Sequence, residues 1–539
     1  MQRLFLHGVI QTTMKKLFKF TTKILLGATQ KTAKTALDTT VSLGKHTGKY
    51  AGKYIKNKLE SPSNRYGQTH FMTDQEMIDS KLLDSNFSGI CLNSPKYTLN
   101  LKKSYSNLLI SSFSGGGKSS RVIIPSILNQ MDRYASIIVT DVSSELYKAT
   151  AGYGKLRGYS IQRIDFSSPE TSIFYNPLHF ATTDREIGNL ANILISSALP
   201  DTGDNAFWNQ SSASLIEILI KLLKSIDEPQ YTNLANVRWL INNFGDGSIL
   251  LPLFQNPKVL QTLYSEFLGI LQTHPKVLQT ILSNARTALR VFTDQKLCAL
   301  TSKNELDIES LRTKKSILYI TAKETDIPHL KFFINCLYQQ LFDFFTKNFT
   351  SSSRDVFCYM DEFPAMGIKN MDSILSITRK YRIACILVCQ STSQLHALYG
   401  RDRANTLIKG AIASRLYLGG LDYDTAEEIS KQLGTHTYED IDPWTQNKSN
   451  PYPRDLMLTQ EVQRLKSDEA IFVHGAYLPV KLKNFRGYYE DKELSRRAAI
   501  KPPPLYSNQL PSVPLIPLPD LSKPQVPPKD SPPNISFDL

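Results

Sequence analysis

Long apolar runs are missing from this 539-residue chain. No stretch reaches the roughly 18–20 apolar residues that a membrane-crossing helix needs. The nearest, Leu17 to Ala28, is interrupted by lysines, and Ile24–Ala28 is too short for a secretory signal. None of the six cysteines forms a C-x-x-C pair and the nine histidines show no metal-ligand spacing, which argues against a zinc site. Cys358, Cys385 and Cys389 stand in apolar, strand-like runs, where a thiol acts as a small hydrophobe and reduced cysteine is the simplest reading. No Ser/His/Asp or Cys/His constellation stands out, and no internal repeat is evident.

What is present is ordinary globular material, 41% hydrophobic and 21% charged, with a net charge of +14. That excludes a wholly disordered, collagenous or coiled-coil chain. The charge is unevenly placed. Residues 1–60 hold twelve Lys and Arg against Asp38 and Glu60, so the body is nearly balanced. Within this arm Lys15, Lys16, Lys19 and Lys23 fall on one helical face, and Met14, Leu17, Phe20 and Ile24 on the other. Such a basic amphipathic helix suits an anionic membrane surface. A solvated helix, a disordered arm, a transit peptide or a non-specific DNA contact would share that composition. At the other end, residues 501–539 carry twelve of the 28 prolines, so polyproline II and disorder are expected there.

Between these ends, β-rich runs alternate with helical patterns. The runs are Leu108–Ser111, Ile137–Thr140, Ser160–Ile164, Ile317–Thr321, Val356–Met360, Ala384–Cys389, Ser414–Leu418 and Ala470–Val473. Several are almost continuously apolar, as strands buried on both faces are. The alternation predicts an α/β fold with a mostly parallel central sheet. From about 183 to 310 there is helical periodicity and little strand signal. Leu215, Ile218, Leu219, Leu222, Leu223 and Ile226 mark one apolar stripe there, and Trp208 is expected in the core. The expected organisation is therefore a basic arm (1–62), a nucleotide-binding part (63–182), an all-α insertion (183–310), a second nucleotide-binding part (311–495) and a Pro-rich tail (496–539).

The strongest local signal is Ser112-Phe113-Ser114-Gly115-Gly116-Gly117-Lys118-Ser119-Ser120, set between a strand and a helical run. This is the setting of a P-loop. Backbone N–H groups of Ser114 to Ser120 would surround phosphate oxygens, Lys118 would reach the β- and γ-phosphates, and Ser119 would hold Mg²⁺. Ser112 stands where the pattern has its first glycine. A Gly/Ser-rich surface turn is the plainer alternative. The second signal is the apolar run Val356–Met360 ending in Asp361 and Glu362, the form of a Walker B element. Asp361 would orient Mg²⁺ and Glu362 would act as general base on water. The third is Ala384–Cys389 ending in Gln390, which suits a γ-phosphate sensor or is merely a polar strand end. Arg379 is the first candidate for an arginine that neutralises developing charge from a neighbouring subunit, and Arg415 the second. Asp141 and Glu145 also follow a strand and are candidates for a place near the nucleotide. The cofactors implied are ATP and Mg.

Taken together, the residues from about Arg65 to Tyr489 resemble the type IV secretion coupling proteins, the TraG-like conjugation ATPases related to the FtsK/HerA motors. The resemblance rests on ordered blocks. These are Arg65-Tyr-Gly-Gln-Thr-His-Phe, the P-loop, Asp141-Val-Ser-Ser-Glu145, Arg163-Ile-Asp165-Phe, Tyr175-Asn-Pro-Leu178, Phe207-Trp208, Asp361-Glu-Phe-Pro-Ala-Met-Gly367, Gln390-Ser-Thr-Ser-Gln394 and Asp468 to Gly475. It implies a hexameric ring ATPase at the cytoplasmic face of the bacterial inner membrane. Such a ring recruits a relaxase–DNA complex or protein effectors to other components of the secretion channel, and Arg379 matches its trans-acting arginine. Two features depart from the family. Ser143 replaces the lysine of its D-P-K-G-E element, and the transmembrane helices of many relatives are not apparent. A recruitment platform with little turnover, and a soluble DNA motor unconnected to secretion, are the alternatives.

Overall fold

The computed structural model describes residues 67, 69–84, 89–93, 97–199, 205–438 and 451–518. The basic amphipathic arm and the chain beyond 518 lie outside the described residues. The chain divides into two units. In the larger, every β-rich run named above is a strand, extended by at most one residue at either end.

Its strands, in chain order, begin with β1 (Leu83–Asp84), β2 (Cys91–Asn93) and β3 (Tyr97–Leu99), a small antiparallel sheet in the order β1-β3-β2. There follow β4 (Leu108–Ser111), β5 (Ser136–Asp141), β6 (Ser160–Asp165), β7 (Ser316–Thr321), β8 (Val356–Met360), β9 (Ile383–Cys389) and β10 (Ser414–Leu418). β13 (Glu469–His474) and β14 (Val480–Lys483) complete a nine-stranded sheet in the order β14-β13-β10-β4-β9-β8-β5-β7-β6. All neighbours from β10 to β6 are parallel, while β13 and β14 add an antiparallel edge.

The apolar runs are continuous because both faces are covered. Alternate residues enter two separate cores. Along β9, Ile383, Cys385, Leu387 and Cys389 join one, and Ala384, Ile386 and Val388 join the other. The first core is shared with the helices that connect β6 to β7. Among the described residues of 183–310 there is no strand, in line with the periodicity. The helix Ala206–Ile226 buries the whole stripe from Leu215 to Ile226. Trp208 does not join it: it is only partly buried, edge-on to an exposed Phe207. Asn205, Ala206 and Phe207 at the start of this helix are exposed, and its buried residues begin at Ser212. All six cysteines are buried and none is in a disulfide, with burial pushing the Cys385 thiol well up.

The Pro-rich segment gives an unexpected result. Residues 499–518 form no helix or strand, as predicted, yet they are held against the body. Tyr147 donates to the Pro503 carbonyl (3.2 Å), Asn508 donates to those of Glu170 and Ser172, and Ile516 is buried. An extended chain makes no ladder of its own, so its backbone groups and the Asn508 amide find partners on the body in both directions.

The smaller unit contains β11 (Thr435–Tyr438) and β12 (Tyr452–Asp455), an antiparallel pair. Gly67 joins it as acceptor from the Thr437 N–H and hydroxyl, each at 3.2 Å.

Candidate nucleotide site

The parallel strands β4, β9, β8 and β5 are neighbours, so their carboxyl ends open side by side. In such sheets ligands bind outside that edge. β4 delivers Ser112 to Ser119, β9 delivers Gln390, β8 delivers Asp361 and Glu362, and β5 ends on Asp141. Asn107 fixes the start of β4. It takes the left-handed backbone (φ 61°), donates to the carbonyls of Leu375 and Ala411, and accepts from Cys385 N at 3.1 Å. Nothing in a lone Asn before a strand announces this role.

After Ser111 the chain turns through Gly115 and Gly117, both with positive φ (79° and 83°). Gly116 has ordinary φ but no room: a Cβ there would lie 1.9 Å from Ser112 Oγ. The serine that replaces the first glycine is thus accommodated by a glycine four residues later. Ser112 is fully buried and its hydroxyl has no partner. Lys118 opens a wide π-type turn, Ser119–Ile123, that runs into the helix Ile124–Arg133. Arg121 lies against Gly117 and donates to the Ser467 carbonyl; the sequence motif gave no hint of it.

The charged groups form a connected chain. Lys118, 6% exposed, donates to Glu362 Oε1 and to the Ser112 carbonyl, both at 3.4 Å. Glu362 Oε2 accepts from Gln390 Nε2 at 3.4 Å. Gln390 is itself anchored, since its N–H donates to Gln394 Oε1 at 3.0 Å. Glu362 takes the left-handed backbone (φ 49°), which an L-residue adopts only at a cost. Asp361 beside it is buried, and its carboxyl is pushed up to about 7 by burial first and then by Glu362, with Asp141 adding to the rise and Lys118 opposing it. Asp141 is raised too, by burial, against the N–H of Tyr147 that it accepts at 2.8 Å. Glu362, Asp361 and Asp141 crowd together beside Lys118, and the raised Asp361 and Asp141 show that burying their negative charge here is costly. That arrangement fits a divalent ion and a set of phosphates better than an empty turn.

The other candidates are placed as follows. Ser114 and Gly115 are exposed on the loop; Ser119 and Ser120 are half-buried at the start of the helix, where Ser120 Oγ donates to the Gly117 carbonyl. Glu145 heads the helix Glu145–Leu156. Ser143, in the family's lysine position, donates to Asp141 Oδ1 at 3.5 Å. Arg379 is not in this cluster. It is exposed before β9, at the opposite end of a seven-residue strand from Gln390, about 23 Å along the chain. There it helps depress His474, lowered to about 4 by burial and then by Lys103 and Arg379. Arg415 lies near that same edge, as β10 pairs it with Leu109 and Val473.

Comparison with known proteins agrees with this architecture. The chain is 21% identical over 410 residues to Protein VirD4 of Agrobacterium fabrum, covering 70% of this chain and 58% of the relative. Protein VirD4 of Rhizobium radiobacter is 22% identical over 435 residues, covering 74% and 58%. The chain thus spans less than two thirds of the length of these relatives. Among solved structures, the bacterial conjugative coupling protein TrwBdeltaN70 in its unbound form superposes with a TM-score of 0.58 at 17% identity, over 78% of this chain and 93% of that one. The plasmid coupling protein TrwB in complex with ADP and Mg²⁺ gives 0.58 at 16%, over 83% and 97%. At such identities the structures show a shared fold. The family described as type IV secretory system conjugative DNA transfer matches residues 67–510, and this chain belongs to it.

Proposed function

We propose that the chain is an ATP-hydrolysing coupling motor of conjugative transfer. It recruits a relaxase–DNA complex, protein effectors or both to a type IV secretion channel and powers their passage. The observation that carries this reading is Glu362, held between Lys118 and Gln390 at the carboxyl edge of the sheet. A carboxylate adjoining a P-loop lysine and a strand-end amide is placed to activate water for attack on a terminal phosphate.

The roles follow from the chemistry of each group. Backbone N–H groups from Ser114 to Ser120 hold phosphate oxygens, with the helix start behind them. Lys118 exchanges the Glu362 carboxylate for phosphate, which frees Glu362 to take the proton from water. Gln390 orients that water. Ser119 and Asp361 hold Mg²⁺, which when bound draws charge off the transferring phosphoryl group. Arg379 completes the site of an adjacent copy in a hexameric ring. Among the described residues no helix is long and apolar enough to cross a membrane. The ring is placed at the cytoplasmic face of the inner membrane through the basic arm of residues 1–60 or through partner proteins.

The test is steady-state phosphate release by the full chain with Mg²⁺ and ATP, with and without single-stranded DNA. Release should be abolished by Lys118→Ala. ATP binding without release by the assembled wild-type ring would overturn the motor reading in favour of a recruitment platform.

A further inference from the structure

Where the Pro-rich segment meets the helix Leu234–Asn242, the contacts have a particular form. Asn236 is fully buried. Its Nδ2 donates to the Pro514 carbonyl (3.0 Å) and its Oδ1 accepts from the Ile516 N–H (2.7 Å). One amide thereby reads both backbone groups flanking Leu515. The amide cannot flip, because Asn233 Oδ1 also accepts from Asn236 Nδ2 at 3.1 Å. One turn further on, Trp239 Nε1 donates to the Ile516 carbonyl at 3.1 Å.

Three apolar side chains of the segment turn to the body, Val513 and Ile516 three residues apart and Leu518 beyond them. Val513 packs partly on the core and Ile516 is buried in it, while Leu515 points outward, 46% exposed. Three residues per turn is the polyproline II repeat, and Pro514 and Pro517 on either side of Ile516 favour it. Recognition therefore consists of backbone hydrogen bonds from fixed side chains and a single deep apolar anchor. Such contacts depend little on the identity of the other residues, which is how peptide-docking grooves work. A pre-extended proline-flanked segment also loses little entropy on binding.

We propose that the Asn236–Trp239 face is a docking groove for extended, proline-flanked segments with a branched apolar anchor. Residues 513–518 fill it in cis, and a partner protein presenting such a segment displaces them. The proposal stands apart from the nucleotide site and does not depend on turnover.

The test uses the full chain and a fluorescent peptide of residues 510–518. Ile516→Asp empties the groove by placing a charge in the apolar anchor site. The peptide should bind this variant at least about tenfold more tightly than wild type, whose groove is filled. Adding Asn236→Ala should cost at least about tenfold again, since the peptide then loses both backbone bonds. A peptide carrying Asp at the Ile516 position should not bind. Thermal melting confirms that each variant is folded, with Ile516→Ala as the milder substitute. No peptide binding by a folded Ile516 variant, or binding indifferent to Asn236→Ala, overturns the proposal. So does failure of both Ile516 variants to fold, which would make the segment a fixed part of the core.

Discussion

Lys118 and Glu362 neutralise each other, and their pairing sets what single substitutions should do. Glu362→Gln keeps an amide beside Lys118 and Gln390 but cannot take a proton. Nucleotide affinity should persist while phosphate release falls by about 10²–10⁴-fold, measured by equilibrium binding beside steady-state turnover. Ser112 and Gly116 are coupled by contact. Gly116→Ala should inactivate, because its Cβ would strike Ser112 Oγ at 1.9 Å. Ser112→Gly in the same chain should restore part of the activity, and a double mutant no better than Gly116→Ala would disprove the coupling. Asp361 carries a pH signature. Its folded carboxyl titrates near 7 against an ordinary 3.8, so the folded chain binds the extra proton between those values. The stability this confers is full at the acid end and is lost as pH rises through about 7. Without nucleotide or metal, Asp361→Asn should therefore flatten the pH dependence of the melting temperature between about 4 and 7 and raise it at the alkaline end. Divalent-ion binding, which needs the ionised carboxylate, should strengthen over the same range in wild type.

At the scale of elements, the sheet was legible because burial on both faces writes itself as apolar runs. Val356–Met360 and Ile383–Cys389 show it without any alignment. β8 and β9 are parallel neighbours, which brings their endings, Asp361–Glu362 and Gln390, together. β14 was missed because Val480–Lys483 alternates with lysines at a sheet edge, and β1 to β3 because two- or three-residue strands have no period to detect. The docking of residues 499–518 was invisible for a different reason. Proline content predicts the lack of regular structure but says nothing of which donors lie nearby. Gly152 supplies a test of that docking. In the helix Glu145–Leu156 an alanine should gain about 1 kcal/mol from propensity alone. Here its Cβ would lie 2.1 Å from the Ile500 carbonyl and 2.6 Å from that of Lys501. Overpacking against backbone costs about 1–3 kcal/mol, so the sign should reverse. Gly152→Ala should lower the melting temperature of the full chain, whereas an increase would show that the segment does not rest there.

At the scale of the whole molecule, the position of Arg379 is the informative fact. Every other proposed catalytic group gathers at the carboxyl edge of the sheet, while Arg379 is exposed at the amino edge. Within one copy it is too far from Glu362 to meet the same phosphate. The arginine can serve the reaction only if the next copy presents its carboxyl edge to it, so catalysis and assembly become one property. Arg379→Ala should then abolish turnover while leaving each copy's nucleotide affinity nearly intact. The decisive experiment mixes two inactive chains. A Lys118→Ala copy lacks its own phosphate contact but still offers Arg379 to its neighbour, whereas an Arg379→Ala copy has the complementary defect. Mixed rings should regain part of the wild-type turnover wherever an intact P-loop faces an intact arginine, with recovery rising and falling as the mixing ratio is varied. Recovery in mixed rings assigns Arg379 to the neighbouring site. If mixing restores nothing while wild-type copies diluted with Lys118→Ala stay active in proportion to their number, Arg379 has no role across the interface, and the positive edge around it and Lys103 serves some contact other than catalysis.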